Sequence, residues 1–187
     1  DFAASGRMLF PKDAFWSDAT GGEVQWRHWV GPMVGLALSA GFQSWSLQEG
    51  QYIINPEHET HPTLIGSATV LPIGVSAVFR RPPSQSALRF SAEVGIRYLM
   101  ISSDAAMAFD YPNMFAQQTY LETSVDLDNR AVGLAAVEIG GALGSGLEWF
   151  VSGGYQVDSG GGENWLFESI GNDFSGAVAG AGLRWTP

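Results

Sequence analysis

The chain has 187 residues, no cysteine and a net charge of −10, with 15% charged residues against 45% apolar and 12% aromatic ones. A soluble domain usually carries about 25% charged residues, so something other than a charged surface must keep this chain from aggregating. The acidic balance argues against a nucleic-acid face, which needs clustered Lys and Arg. The missing cysteine excludes disulfides and thiolate metal sites within these residues, and no lipidated amino-terminal cysteine is expected.

The length suits one domain, residues 1–187. No secretory apolar stretch precedes Asp1, so any export signal is expected to have been removed or omitted. The dominant pattern has period two. The first strand is expected near residues 2–10. The second, near 22–30, sets Val24, Trp26, His28 and Val30 against Glu23, Gln25 and Arg27. The third, near 33–47, sets Leu36, Leu38 and Phe42 against Gly35, Ser39 and Gln43. The fourth, near 63–80, contains Pro72, which lacks an amide proton and is expected to require a bulge. The fifth, near 87–103, alternates most cleanly: Phe90, Val94, Ile96 and Tyr98 oppose Arg89, Glu93 and Arg97. The sixth is expected near 130–143. Its apolar run from Val132 to Leu147 is interrupted by Glu138 and falls short of the ~20 residues a spanning helix needs. The seventh, near 147–158, sets Trp149, Val151 and Tyr155 against Glu148, Ser152 and Gln156, and the eighth lies near 174–185.

Short connections alternate with the longer polar stretches 11–21, 48–62, 104–129 and 159–173. In an up-and-down meander this gathers the long loops at one end and returns both termini to the other. That is the plan of an all-β, eight-stranded antiparallel transmembrane barrel of the bacterial outer membrane, with periplasmic termini and external loops. Volume decides which face points outward. The interior of eight strands has room only for side chains. Trp26, Phe42, Phe79, Phe90, Tyr98, Trp149, Tyr155 and Trp185 cannot share it. They are therefore expected on the lipid side, in two aromatic belts: Phe79, Phe90, Trp149 and Trp185 at one end, Phe10, Phe42, Tyr98, Tyr155 and Phe174 at the other.

Gly6-Arg7-Met8-Leu9-Phe10-Pro11 followed by Gly22-Glu23-Val24-Gln25-Trp26-Arg27-His28-Trp29, with the closing Gly180-Ala181-Gly182-Leu183-Arg184-Trp185, resembles the small outer-membrane β-barrels of the outer-membrane protein A and W type. The resemblance covers nearly the whole chain. It departs at the end, where Thr186 and Pro187 follow the aromatic residue that usually closes such chains. It implies an integral envelope protein in contact with outer-membrane lipid and lipopolysaccharide.

Four groups of residues are candidates for chemistry. Arg7, Glu23, Arg27, Arg80, Arg89, Glu93, Arg97, Glu138, Glu148 and Arg184 all take the inward parity. They read either as a gate for ions or as a plug of charge-assisted hydrogen bonds; the plug is the reading taken. His58 and His61, in Glu57-His58-Glu59-Thr60-His61, are weak metal candidates, and Asp126-Leu127-Asp128-Asn129 is a faint echo of a calcium loop. No cofactor is expected. Some small barrels modify lipid A with His, Ser and a carboxylate at the outer leaflet. The one strand histidine, His28, falls at the opposite end, so the chain is read as non-enzymatic. Finally, the long loops are acidic, with interleaved aromatics. Phe109, Asp110, Tyr111, Phe115, Tyr120, Glu122, Trp165 and Phe167 are the candidates for holding a protein partner. The alternatives are a small conduit for ions or apolar molecules and, more weakly, a lipid A-modifying enzyme.

Overall fold

The computed structural model describes residues 1–12, 16–47, 50–51, 62–81, 88–112, 118–125, 127–158 and 173–186. Eight strands close into a barrel: β1 (Phe2–Pro11), β2 (Ala19–Trp29), β3 (Val34–Ser46), β6 (Ser67–Arg80), β7 (Leu88–Ser103), β10 (Arg130–Gly144), β11 (Leu147–Asp158) and β12 (Gly176–Trp185). Every neighbour is antiparallel, and β1 closes the circle against β12 through an unbroken register from Phe2↔Trp185 to Pro11↔Gly176. The expected strands match these within a few residues.

The alternation that predicts the strands also sets their faces. Along β3, Gly35, Ala37, Ser39, Gln43 and Trp45 are buried, while Leu36, Leu38 and Phe42 face outward. Along β7, Glu93, Arg97 and Leu99 are buried, while Val94, Ile96 and Tyr98 are exposed. The outer wall is a belt of exposed Leu, Ile and Val, with Ile96 62% exposed. Phe2, Trp26, Phe79, Phe90 and Trp185 mark its short-turn end, and Phe10, Phe42, Tyr98 and Tyr155 the other. Phe174 corrects the expected girdle. It is fully buried inside the barrel, where Trp16 and Trp45 give it ring partners that the lipid side lacks.

The expected bulge at Pro72 is also corrected. Pairing with β7 runs straight through Pro72↔Leu99. Pairing with β3 resumes in the same register, Ala40↔Ile73 and then Gln43↔Val70, with the intervening pairs missing. The strand tolerates the ring because Gly41 faces it: a Cβ at Gly41 would lie 3.3 Å from Pro72 Cγ. The irregularity in the barrel falls instead between Ala142 and Gly144, beside the tight turn where Gly146 adopts φ +79°.

Two of the stretches expected to be loops contain strands, and residues 63–65, expected to open the fourth barrel strand, belong to a separate strand as well. β4 (Gly50–Gln51), β5 (Pro62–Ile65), β8 (Ala105–Pro112) and β9 (Gln118–Val125) form a separate sheet in the order β4-β5-β8-β9. It stands at the long-connection end. Gly66, at φ 124°, divides β5 from β6, a conformation that side-chain-bearing residues rarely adopt.

Candidate functional site

The lumen is filled in two layers, which the strand register separates. Toward the short turns lies an ionic layer. Arg7 Nη2 donates to Glu23 Oε1 at 2.6 Å, and Arg97 Nη2 lies 2.6 Å from Glu23 Oε2. Arg27 Nη2 donates to Glu138 Oε2 at 2.8 Å and lies 3.6 Å from Glu93. Arg184 Nη2 donates to the other Glu138 oxygen at 2.5 Å and approaches Glu148 at 3.6 Å. Arg89 pairs with Glu148 from the rim. Uncharged groups tie the chain together: the Gln25 amide donates to Glu93 and accepts from Arg27, the Ser76 hydroxyl donates to Glu93, and the Ser91 hydroxyl donates to Glu138.

Glycines clear the space these long stems occupy. A Cβ at Gly74 would meet Arg97 Cγ at 2.8 Å, and one at Gly180 would meet Arg7 Cδ at 3.0 Å. Within the layer, Arg7, Arg27, Arg97 and Arg184 face Glu23, Glu93, Glu138 and Glu148, and all are buried. Burial of that many charges is tolerable only when each finds a counter-charge. Arg80 departs from the expected network. Its Nε donates to the Pro32 carbonyl at 2.8 Å and its guanidinium covers the Trp29 ring at 3.9 Å, because its place at the end of β6 leaves it beside the β2–β3 turn. Arg89 belongs to the network through Glu148, yet its side chain is 63% exposed.

Toward the long connections the lumen is apolar. Leu9, Ala19, Val70, Leu99, Val132, Leu134 and Val178 surround Trp16, Trp45 and Phe174. Trp45 packs edge-on against Phe174, ring centroids 4.8 Å apart, and against Trp16 at 5.6 Å. The Trp45 indole N–H donates to Gln43 Oε1, so the buried polar edge is satisfied. Arg130 caps the layer, bonded to Asp158 at 3.1 Å with its guanidinium 5.0 Å from the Phe174 ring. The inward Arg/Glu set expected from the sequence thus shares the lumen with an apolar layer that the sequence reading did not separate. Inward valines and leucines look the same in sequence as outward ones, and only the parity of each strand separates them.

Of the remaining candidates, His28 stacks on Trp26 at 5.9 Å on the exposed outer wall. Asn129 accepts a hydrogen bond from the Ile101 amide. Phe109, Asp110 and Tyr111 fall in β8, and Tyr120 and Glu122 in β9. Phe115, Trp165, Phe167, His58, His61 and Asp126 lie outside the described residues.

No family model matches the chain, and no curated protein sequence does. Solved structures do match in shape. Neisserial surface protein A superposes with a TM-score of 0.57 at 8% identity, over 98% of this chain and 94% of that one. The outer membrane protein OprG from Pseudomonas aeruginosa superposes with a TM-score of 0.58 at 10% identity, over 100% of this chain and 90% of that one. The fold is that of the small eight-stranded outer-membrane β-barrels.

Proposed function

We propose that the protein is a non-enzymatic, integral outer-membrane barrel whose lumen is sealed and whose outward sheet presents a surface to another envelope or surface protein. The apolar outer wall supports the membrane setting, since a continuous exposed belt of Leu, Ile, Val and aromatic residues is matched by hydrocarbon rather than water. Contact with outer-membrane lipid and lipopolysaccharide follows from that setting. The plan of short turns at the terminal end supports periplasmic termini.

The observation that carries the recognition reading is the β4-β5-β8-β9 sheet. A hairpin that merely joined β7 to β10 would need only a few residues. This one continues for eight residues in each of β8 and β9 and recruits two further strands. The two filled layers oppose the conduit reading.

The test compares the intact protein with a variant in which residues 106–126 are replaced by a short Gly/Ser turn. The variant should keep its heat-dependent gel mobility, because the barrel ladder closes without these residues. It should lose capture of surface-labelled envelope proteins. Full capture by the variant would defeat the recognition reading, and steady conductance of the intact protein in a planar bilayer would defeat the sealed lumen.

A further inference from the structure

At the short-turn end the lumen opens into a cavity of about 50 Å³, with Arg27, Arg80, Arg89 and Arg184 on its walls together with Glu138 and Glu148. One water needs roughly 10–15 Å³ of such space. The space therefore suits a single small polar group held at an open mouth.

The charges at this mouth do not balance as they do deeper in the lumen. Glu138 is shared by Arg27 and Arg184, and Glu148 by Arg184 and Arg89. The Asp1 carboxylate, also on the wall, accepts the Trp29 indole N–H at 2.7 Å. Arg80 has no carboxylate partner among the described residues, and the neighbouring stretch 82–87 contains no Asp or Glu. Its guanidinium is nevertheless held, by the Trp29 ring and the Pro32 carbonyl. Behind it Arg184 is 7% exposed, and its Nε has no hydrogen-bond partner among the described residues. A fixed fork with unused donors loses little side-chain entropy on binding an oxyanion. With a net charge of −10 the chain repels anions at long range, so any affinity here has to come from these local groups.

We propose that this mouth is a binding site for a single oxyanion group, phosphate or carboxylate. Arg80 and Arg89 make the contacts, and Arg184 supplies positive charge behind them. The site lies at the opposite end of the barrel from the recognition sheet and is independent of it.

The test uses the full chain in zwitterionic detergent micelles, with ionic strength held constant by chloride. Inorganic phosphate is titrated in one arm and N-acetylglycine in the other. The arginine Nε–H resonances are followed by NMR, and assigned with Arg80→Gln and Arg89→Gln. Saturable shifts at Arg80 and Arg89 are expected with at least one probe. Arg80→Gln and Arg89→Gln should each weaken that binding about tenfold, the loss of a charge-assisted hydrogen bond. Arg81→Gln, at an exposed residue off the cavity wall, should leave it unchanged. Heat-dependent gel mobility confirms that each variant is folded. Saturation by phosphate alone or by N-acetylglycine alone assigns the group, and either supports the site. No saturation with either probe, or saturation untouched in both folded variants, overturns it.

Discussion

Glu138 is the node of the ionic layer, and replacing it with Gln isolates the worth of that node. Its two oxygens accept from Arg27 at 2.8 Å, from Arg184 at 2.5 Å and from the Ser91 hydroxyl at 3.2 Å. Glutamine keeps the shape but removes the charge, and it turns one acceptor into an amide donor. A guanidinium offers donors only, so one of the two arginines would face a donor across a buried gap. Removing one member of a buried pair costs roughly 3–5 kcal/mol. Arg27 keeps Glu93 at 3.6 Å and Arg184 keeps Glu148 at 3.6 Å, which places the expected loss at the lower end, about 3 kcal/mol. Urea unfolding in lipid vesicles, read by tryptophan fluorescence, measures it. The double variant Glu138→Gln/Arg184→Met should lose less than the sum of its single changes, because the second removes a charge the first has stranded. A single-variant loss under about 1 kcal/mol, typical of an exposed pair, would refute the picture of a mutually dependent buried network.

The rim and the apolar layer give contrasting expectations. Arg89→Gln should cost under about 1 kcal/mol in the same assay, since its side chain is largely exposed. Trp45→Ala should cost about 3–5 kcal/mol, because Trp45 is fully buried and Trp16 and Phe174 would be left facing a void. Gly95→Ala should fail to reach the heat-resistant folded form on gels, since its Cβ would sit 2.4 Å from Ser76 Cβ and 2.5 Å from the Val75 carbonyl oxygen. Gly6→Ala should fold normally, as nothing among the described residues lies within 4 Å of the added carbon.

The barrel was legible in the sequence because its signal is repeated in strand after strand. Each strand has to present one face to side chains in a narrow lumen and the other to an apolar exterior, and period two follows directly. The inward charges were legible for the same reason: Glu93 and Arg97 share a parity that no lipid-facing residue could hold. Three things were not. On β10 the exposed positions Ala131, Gly133 and Ala135 are small while the buried Val132 and Leu134 are large, so size alone points the wrong way. The β8–β9 hairpin carries an acidic and aromatic composition that reads as a loop, and its pairing with β5 joins residues far apart in the chain. Pro72 called for a bulge on local grounds. Gly41 on the neighbouring strand supplies the accommodation instead, and a reading of one strand cannot see the next.

The ionic layer also bears on how the barrel forms. Arg7 and Glu23 belong to one hairpin, but Arg27 and Glu138 are 111 residues apart, on strands β2 and β10 that never pair with each other. Arg27 and Arg184 therefore cannot both reach Glu138 until opposite walls of the cylinder have come together. A half-built sheet must carry these charges hydrated. Their water can leave only as the cylinder closes, so dehydration of the interior is expected to accompany closure.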